Sequence, residues 1–131
     1  MIDKMWREMY NEAVKILNPR NISKRMKVGS VATSVLTKQG NIYFGISVDA
    51  DCSLGVCAER NALTTMLTHG EREVERMLSI YKDGKIIPPC SACREFMMQL
   101  GEGSENIEVL LDREGRIVKL SELVPEYVRR R

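Results

Sequence analysis

Apolar residues recur along the chain in two rhythms, and the points where one gives way to the other divide it into elements. Trp6, Met9, Ala13, Ile16 and Leu17 fall three or four apart behind Asp3, a good helix N-cap, and Asn18-Pro19 stops the run. This spacing predicts a first helix over roughly residues 3–18, its Met and Trp stripe turned to a core. The stretch Arg20 to Lys27 is basic and irregular. Val28 to Thr37 is rich in β-branched residues and predicts a strand, Gln39-Gly40-Asn41 turns the chain, and Ile42 to Val48 predicts the antiparallel return strand. The polar segment Asp49 to Gly55 has no period and is expected to be a loop.

Helical spacing resumes at Cys57 with Ala58, Ala62, Leu63, Met66 and Leu67, and Gly70 suits the position after the last turn. Glu73 to Lys82, carrying Val74, Leu78, Ile80 and Tyr81, predicts a strand. Pro88-Pro89 delays the next helix to Cys90, from which Cys93, Phe96, Met97 and Leu100 run on to Gly101. Ile107 to Leu111 predicts a short buried strand, Asp112 to Gly115 a turn, Ile117 and Val118 an edge strand, and a last helix starts near Ser121. The order α-β-β-α-β-α-β-β-α implies an α/β fold with a mixed sheet of about five strands and helices on its faces.

Composition narrows the class. With 131 residues, 44% hydrophobic and 29% charged, the chain suits one compact domain spanning 1–131, and no repeat or low-complexity segment divides it. Its 20 basic and 18 acidic residues are interspersed, so the net charge of +2 gives no reason to expect nucleic acid as a partner. The first helix carries Asp3, Lys4, Arg7 and Glu8, unlike a signal peptide, and no apolar run approaches a membrane span. A cytoplasmic location and no membrane partner are therefore expected. In that reducing compartment the four cysteines are read as metal ligands or reactive thiols, not disulfides.

Three of them carry the chemistry. Cys57 opens one predicted helix and Cys90-Ser91-Ala92-Cys93 opens another, and the unpaired N–H groups at helix starts favour thiolates. Cys90 and Cys93, three apart, share a helix face, so Cys57, Cys90 and Cys93 can gather on one Zn²⁺ and leave its fourth position open. Glu59, two residues past Cys57, would stand beside that position as a proton carrier and not as a ligand. Three thiolates make a net negative centre, for which Arg60 and Arg94 are the candidate compensating cations, a solvated helix-surface role being the alternative for either.

Cys57-Ala58-Glu59-Arg60 taken with Pro89-Cys90-x-x-Cys93-Arg94 resembles the zinc signature of the cytidine deaminase family. Lys27-Val28-Gly29-Ser30 is similar to that family's first strand, and Leu120-Ser121-Glu122-Leu123-Val124-Pro125 to its C-terminal motif. The resemblance implies a three-layer α-β-α fold and one zinc per chain. A cysteine before Ala-Glu on so short a chain is similar to the tetrameric, free-nucleoside branch that includes blasticidin S deaminase, which implies a homotetramer acting on a small cytosine-like compound. It further implies that the Ala58 N–H holds the base carbonyl and the Pro88 carbonyl accepts from the amine. Where the family carries an Asn-x-Glu pair on the ribose hydroxyls, this chain has Ser47-Val48-Asp49. Ser47 and Asp49 keep the hydrogen-bonding ability but shorten the reach, and Arg25-Met26 replaces the aromatic that flanks the base.

Two other classes stay open on the residues alone. Cys52 can join Cys57, Cys90 and Cys93 in a closed, structural four-thiolate site, which gives Glu59 no task. A thiol redox role for the C-x-x-C pair explains neither Cys57 nor Glu59. His69, beside Gly70, suits a helix C-terminus better than a ligand role, and the charged residues 71–76 suit a solvated surface.

Overall fold

The computed structural model describes residues 2–128. Helix α1 spans Lys4–Ile16, and its N-cap is Asp3, whose carboxylate accepts from the Trp6 N–H at 3.0 Å. The strands β1 (Arg20–Ser23), β2 (Met26–Thr37) and β3 (Ile42–Ala50) follow, then α2 (Ala58–Thr68), β4 (Val74–Tyr81), β5 (Ile86–Ile87), α3 (Ser91–Met98), β6 (Glu108–Leu110) and β7 (Ile117–Lys119). All strands join one mixed sheet in the order β1-β2-β4-β6-β7, with β3 on β2 and β5 on β4. Among the described residues, only the β4–β6 pair is parallel.

Side-chain alternation along the two central strands sorts the core into two layers. Ala32, Leu36, Leu78 and Ile80 face α1, where they bury Trp6, Met9 and Ala13. Val35, Met77 and Val109 point to the other side and pack on Ala62, Leu63 and Met66 of α2 and Met97 of α3. The result is the three-layer α-β-α arrangement. Met77 to Ile80 of β4 are buried without a break because both faces are covered there, so strict alternation is lost over that stretch.

Among the described residues the sheet has seven strands, not about five. The stretch that carried no sequence signal, Arg20–Ser23, is an edge strand whose four residues are all exposed, so no apolar period marks it. Strand β5 has only two residues between the Lys82–Lys85 turn and Pro88, too few for any period. The last helix is a single 3-10 turn, Leu120–Leu123, and its N-cap Lys119 donates its backbone N–H to the Glu122 carboxylate at 2.8 Å.

Two glycines fix how the layers meet. Gly29, at φ 82°, sits in the irregular register between Val28 and Ala32, and a Cβ there would lie 2.2 Å from the Asn18 carbonyl oxygen. Gly45 of β3 lets the backbone of α2 approach, since a Cβ would meet Ala62 N at 2.3 Å and Ala58 O at 2.5 Å. Gly45 pairs with Thr33, Thr33 with Ser79, and Ser79 with Ile87, so these four form one row across β3, β2, β4 and β5. That row lies beneath the first turn of α2.

Candidate active site

Cys57 and Cys90 are the N-cap residues of α2 and α3, and neither sulfur caps its own helix, so both are free for another task. Cys93 lies one turn into α3, on the face shared with Cys90. The three sulfurs converge: Cys57 Sγ to Cys90 Sγ and Cys90 Sγ to Cys93 Sγ are both 3.4 Å, with all three within 4.8 Å of one another. All are unbridged thiols. Tetrahedral sulfurs at a Zn–S distance of about 2.3 Å stand about 3.8 Å apart, so the donor set fits this metal's geometry and softness.

The electrostatics also call for a cation. Burial, and next the Glu59 carboxylate, push the Cys93 thiol far above its ordinary range. Burial opposes ionisation of Cys90 as well, but the backbone and thiol of Cys93 and the thiol of Cys57 hold it below its ordinary value. Arg60 Nη2 stands 3.7 Å from Cys57 Sγ, and this contact raises the guanidinium pKa further. Arg94 is committed elsewhere: its Nε donates to Pro89 O (2.8 Å) and its Nη1 to Leu123 O (3.3 Å), which bolts the turn before Cys90 to the C-terminal 3-10 turn.

Glu59 is 4% exposed in the first turn of α2. One carboxylate oxygen lies 3.8 Å from Cys93 Sγ and the other accepts from Ser79 Oγ at 3.0 Å. A cleft of about 540 Å³ opens over it, lined by Cys57, Ala58, Glu59, Pro88 and Cys90 at one end and by Ser47 and Asp49 further out. The residues expected to bind substrate thus share one cavity with two of the thiols. Ser47 is buried, and its hydroxyl oxygen already accepts from Val31 N at 3.0 Å, bracing the irregular stretch of β2. Asp49 is exposed opposite Lys27.

Cys52 stands apart, exposed, at φ 61° in the loop after β3, where Arg25 Nη2 approaches its sulfur at 3.5 Å. It is not in the metal-ready group. His69 caps the end of α2, its ring Nδ1 2.8 Å from Thr65 O, well removed in sequence and role from the thiols. The sequence reading missed Tyr81, Lys82 and Ile87, which line the cleft from the β4–β5 hairpin. It also missed Ser79, whose signal was a lone hydroxyl inside Met77-Leu78-Ser79-Ile80.

Comparison with known proteins agrees with this geometry. The family model described as the cytidine and deoxycytidylate deaminase zinc-binding region matches residues 4–107. A cytidine deaminase of Halalkalibacterium halodurans is 32% identical over 98 residues, covering 72% of this chain and 74% of that protein. A probable cytidine deaminase of Dictyostelium discoideum is 33% identical over 75 residues, 55% of this chain and 50% of that one. Among solved structures, the cytidine deaminase of Burkholderia pseudomallei superposes with a TM-score of 0.74 at 27% identity, covering 93% of this chain and 98% of the other. That of Mycobacterium leprae shares the fold, with a TM-score of 0.77 at 18% identity over 95% of this chain and all of the other.

Proposed function

Because the chain belongs to the cytidine and deoxycytidylate deaminase family, whose zinc-binding region spans most of it, we propose that it catalyses zinc-dependent hydrolytic deamination of a free cytosine-like small molecule. The product is the corresponding uracil-type compound, with ammonia released. The observation that carries this reading is the buried Glu59 carboxylate set between the three-thiol cluster and an open cleft. A closed structural site would have no use for a carboxylate there.

Cys57, Cys90 and Cys93 hold the zinc, one per chain. When bound, it supplies Lewis acidity that makes water easy to deprotonate near neutral pH. The rest falls to this chain's own groups. Glu59 takes a proton from the attacking water as it adds to the carbon bearing the amine and delivers it to the ring nitrogen; it then takes the second proton from the new hydroxyl, as that becomes the carbonyl, and delivers it to the leaving amine. Positioned acid–base transfer of this kind contributes roughly two to four orders of magnitude. The Ala58 N–H belongs to the first turn of α2, where no intrahelical acceptor exists, and it holds the base carbonyl. The Pro88 carbonyl accepts from the amine, a backbone role that proline fills as well as any residue. Arg60 offsets the negative charge of three thiolates.

The outer end of the cleft supports a second reading, an aminonucleoside of the blasticidin S type. Ser47 and Asp49 are shorter than a ribose-gripping Asn and Glu, and about 540 Å³ leaves room for a larger appendage. We further propose a single domain over 1–131, a cytoplasmic location, a homotetramer, and neither nucleic acid nor membrane as partner. No helix among the described residues is long and apolar enough to cross a membrane. Exposed Leu54 (70%) and Val56 (39%), in the loop whose Gly55 and Val56 line the cleft, support the tetramer as apolar surface that association would cover. The test is a screen of cytidine, deoxycytidine, cytosine and blasticidin S by the fall in ultraviolet absorbance. Turnover of at least one is expected. Inertness of the zinc-loaded protein toward all four would overturn the reading.

A further inference from the structure

We propose that Ser79 and Thr33 form a two-hydroxyl chain that positions the Glu59 carboxylate for proton transfer, an inference that rests on the deaminase reading above. Thr33 and Ser79 are fully buried and directly opposite one another on β2 and β4. Their hydroxyl oxygens are 2.6 Å apart, and Ser79 Oγ is 3.0 Å from Glu59 Oε2.

The direction of donation follows from the groups themselves. An ionised carboxylate only accepts, so the single hydroxyl proton of Ser79 goes to Glu59. The short contact to Thr33 must then be donated by Thr33 Oγ1. With a lone pair of its oxygen held by Thr33, the Ser79 hydroxyl cannot rotate away, and its proton stays aimed at Glu59. One carboxylate oxygen is thereby pinned from the sheet, while the other remains on the side of Cys93, 3.8 Å from its sulfur.

The surroundings show that these hydroxyls serve the site and not the packing. Ser79 interrupts Met77, Leu78 and Ile80, all at 0% exposure, and Thr33 lies in the same row beneath the first turn of α2. Apolar residues would fill such a row without need of partners. The same row continues to Ile87, directly before Pro88, so one register line sets both the carboxylate and the carbonyl expected to meet the amine. Ser79 and Thr33 do not line the cleft, and their side chains bond each other and Glu59 and no thiol, so they are positioning residues.

The experiment compares wild type, Ser79→Ala, Thr33→Val, Thr33→Ser and the double variant Ser79→Ala/Thr33→Val, each checked for zinc content and melting temperature. The substrate is the best one from the screen. Ser79→Ala should lower kcat about ten- to a hundredfold, the scale of a slightly misplaced catalytic group, with KM and zinc unchanged. Thr33→Val should lower kcat less. Thr33→Ser, which keeps the hydroxyl, should recover most of the loss. The double variant should be no slower than Ser79→Ala alone, because Thr33 acts only through Ser79. A Ser79→Ala enzyme with wild-type kcat and only a lower melting temperature would overturn the proposal, as would additive losses in the double variant. A wild type inert toward every screened substrate would instead count against the deaminase reading on which the proposal rests.

Discussion

Placing one methyl group on Gly45 should damage an active site that Gly45 never touches. The Cβ of a Gly45→Ala variant would meet Ala62 N at 2.3 Å, Ala58 O at 2.5 Å and Asn61 C at 2.9 Å, all backbone atoms of α2, where ordinary contact begins near 3.4 Å. Backbone cannot swing aside as a side chain can, so the first turn of α2 must withdraw by about 1 Å. Overpacking of this kind costs about 1–3 kcal/mol, and the upper end applies where the obstacle is backbone. Alanine also narrows the unfolded ensemble by about 0.4–1 kcal/mol, leaving a net loss of about 2 kcal/mol. For a chain of this size that is a fall in melting temperature of roughly 6–10 °C. The retreating turn carries Cys57, Ala58 and Glu59, and a misplacement of 1 Å costs about a hundredfold in rate. Thermal melts of zinc-loaded protein and steady-state kinetics read both effects. A Gly45→Ala variant that melts within 2 °C of wild type (set against the loss just worked out) and turns over normally would refute the close approach of β3 and α2 as the device that seats the site.

Other outcomes follow from particular residues. Cys52→Ser should retain zinc by elemental analysis whereas Cys57→Ser should lose it; loss in both would favour the closed four-cysteine site. Asp49→Asn with Ser47→Ala should raise KM, by the equivalent of about 1.5–3 kcal/mol if the contact is charge-assisted, with zinc still bound, and an unchanged kcat/KM would remove both from the substrate's outer contacts. Glu71 is buried, and donation from the Tyr43 hydroxyl at 2.5 Å, then from Thr37 and from Asn41 (2.8 Å), holds its carboxyl below the usual 4.5. A depressed folded-state pKa stabilises the protein above the ordinary carboxylate value and ceases to do so as pH falls through the folded one. Glu71→Gln should therefore melt below wild type at pH 7, with the gap closing as pH drops well below 4.5; a constant gap would show that the charge is not what matters.

The parts legible in the sequence were those where one residue type has a narrow use. Helix α1 announced itself through Asp3, its apolar stripe and Pro19, and the hairpin of β2 and β3 through β-branched runs around Gln39-Gly40-Asn41. The gathering of the three thiols beside Glu59 was legible because Cys57 and Cys90 each precede a helix and Cys93 shares a face with Cys90. What stayed hidden depended on the third dimension. Strand β1 has no buried residue to give it a period, and β5, with two residues paired to Ser79 and Ile80, is too short to show one. The roles of Ser79 and Thr33 arise from cross-strand register between residues 46 apart in sequence, which no local pattern reports. Arg94 stood beside Arg60 as a candidate compensating cation with a solvated surface role as its alternative, and only the path of the C-terminal turn shows that carbonyls of Pro89 and Leu123 occupy it.

The central claim, that a proton-carrying carboxylate works beside a zinc held by three thiols, is tested most directly by Glu59→Gln assayed for zinc and turnover in the same preparation. The change is nearly isosteric and leaves Cys57, Cys90 and Cys93 intact. Zinc content should stay at one per chain while turnover falls by at least roughly two orders of magnitude. A zinc-replete variant keeping more than about a tenth of wild-type turnover, against that expected scale, would contradict the account.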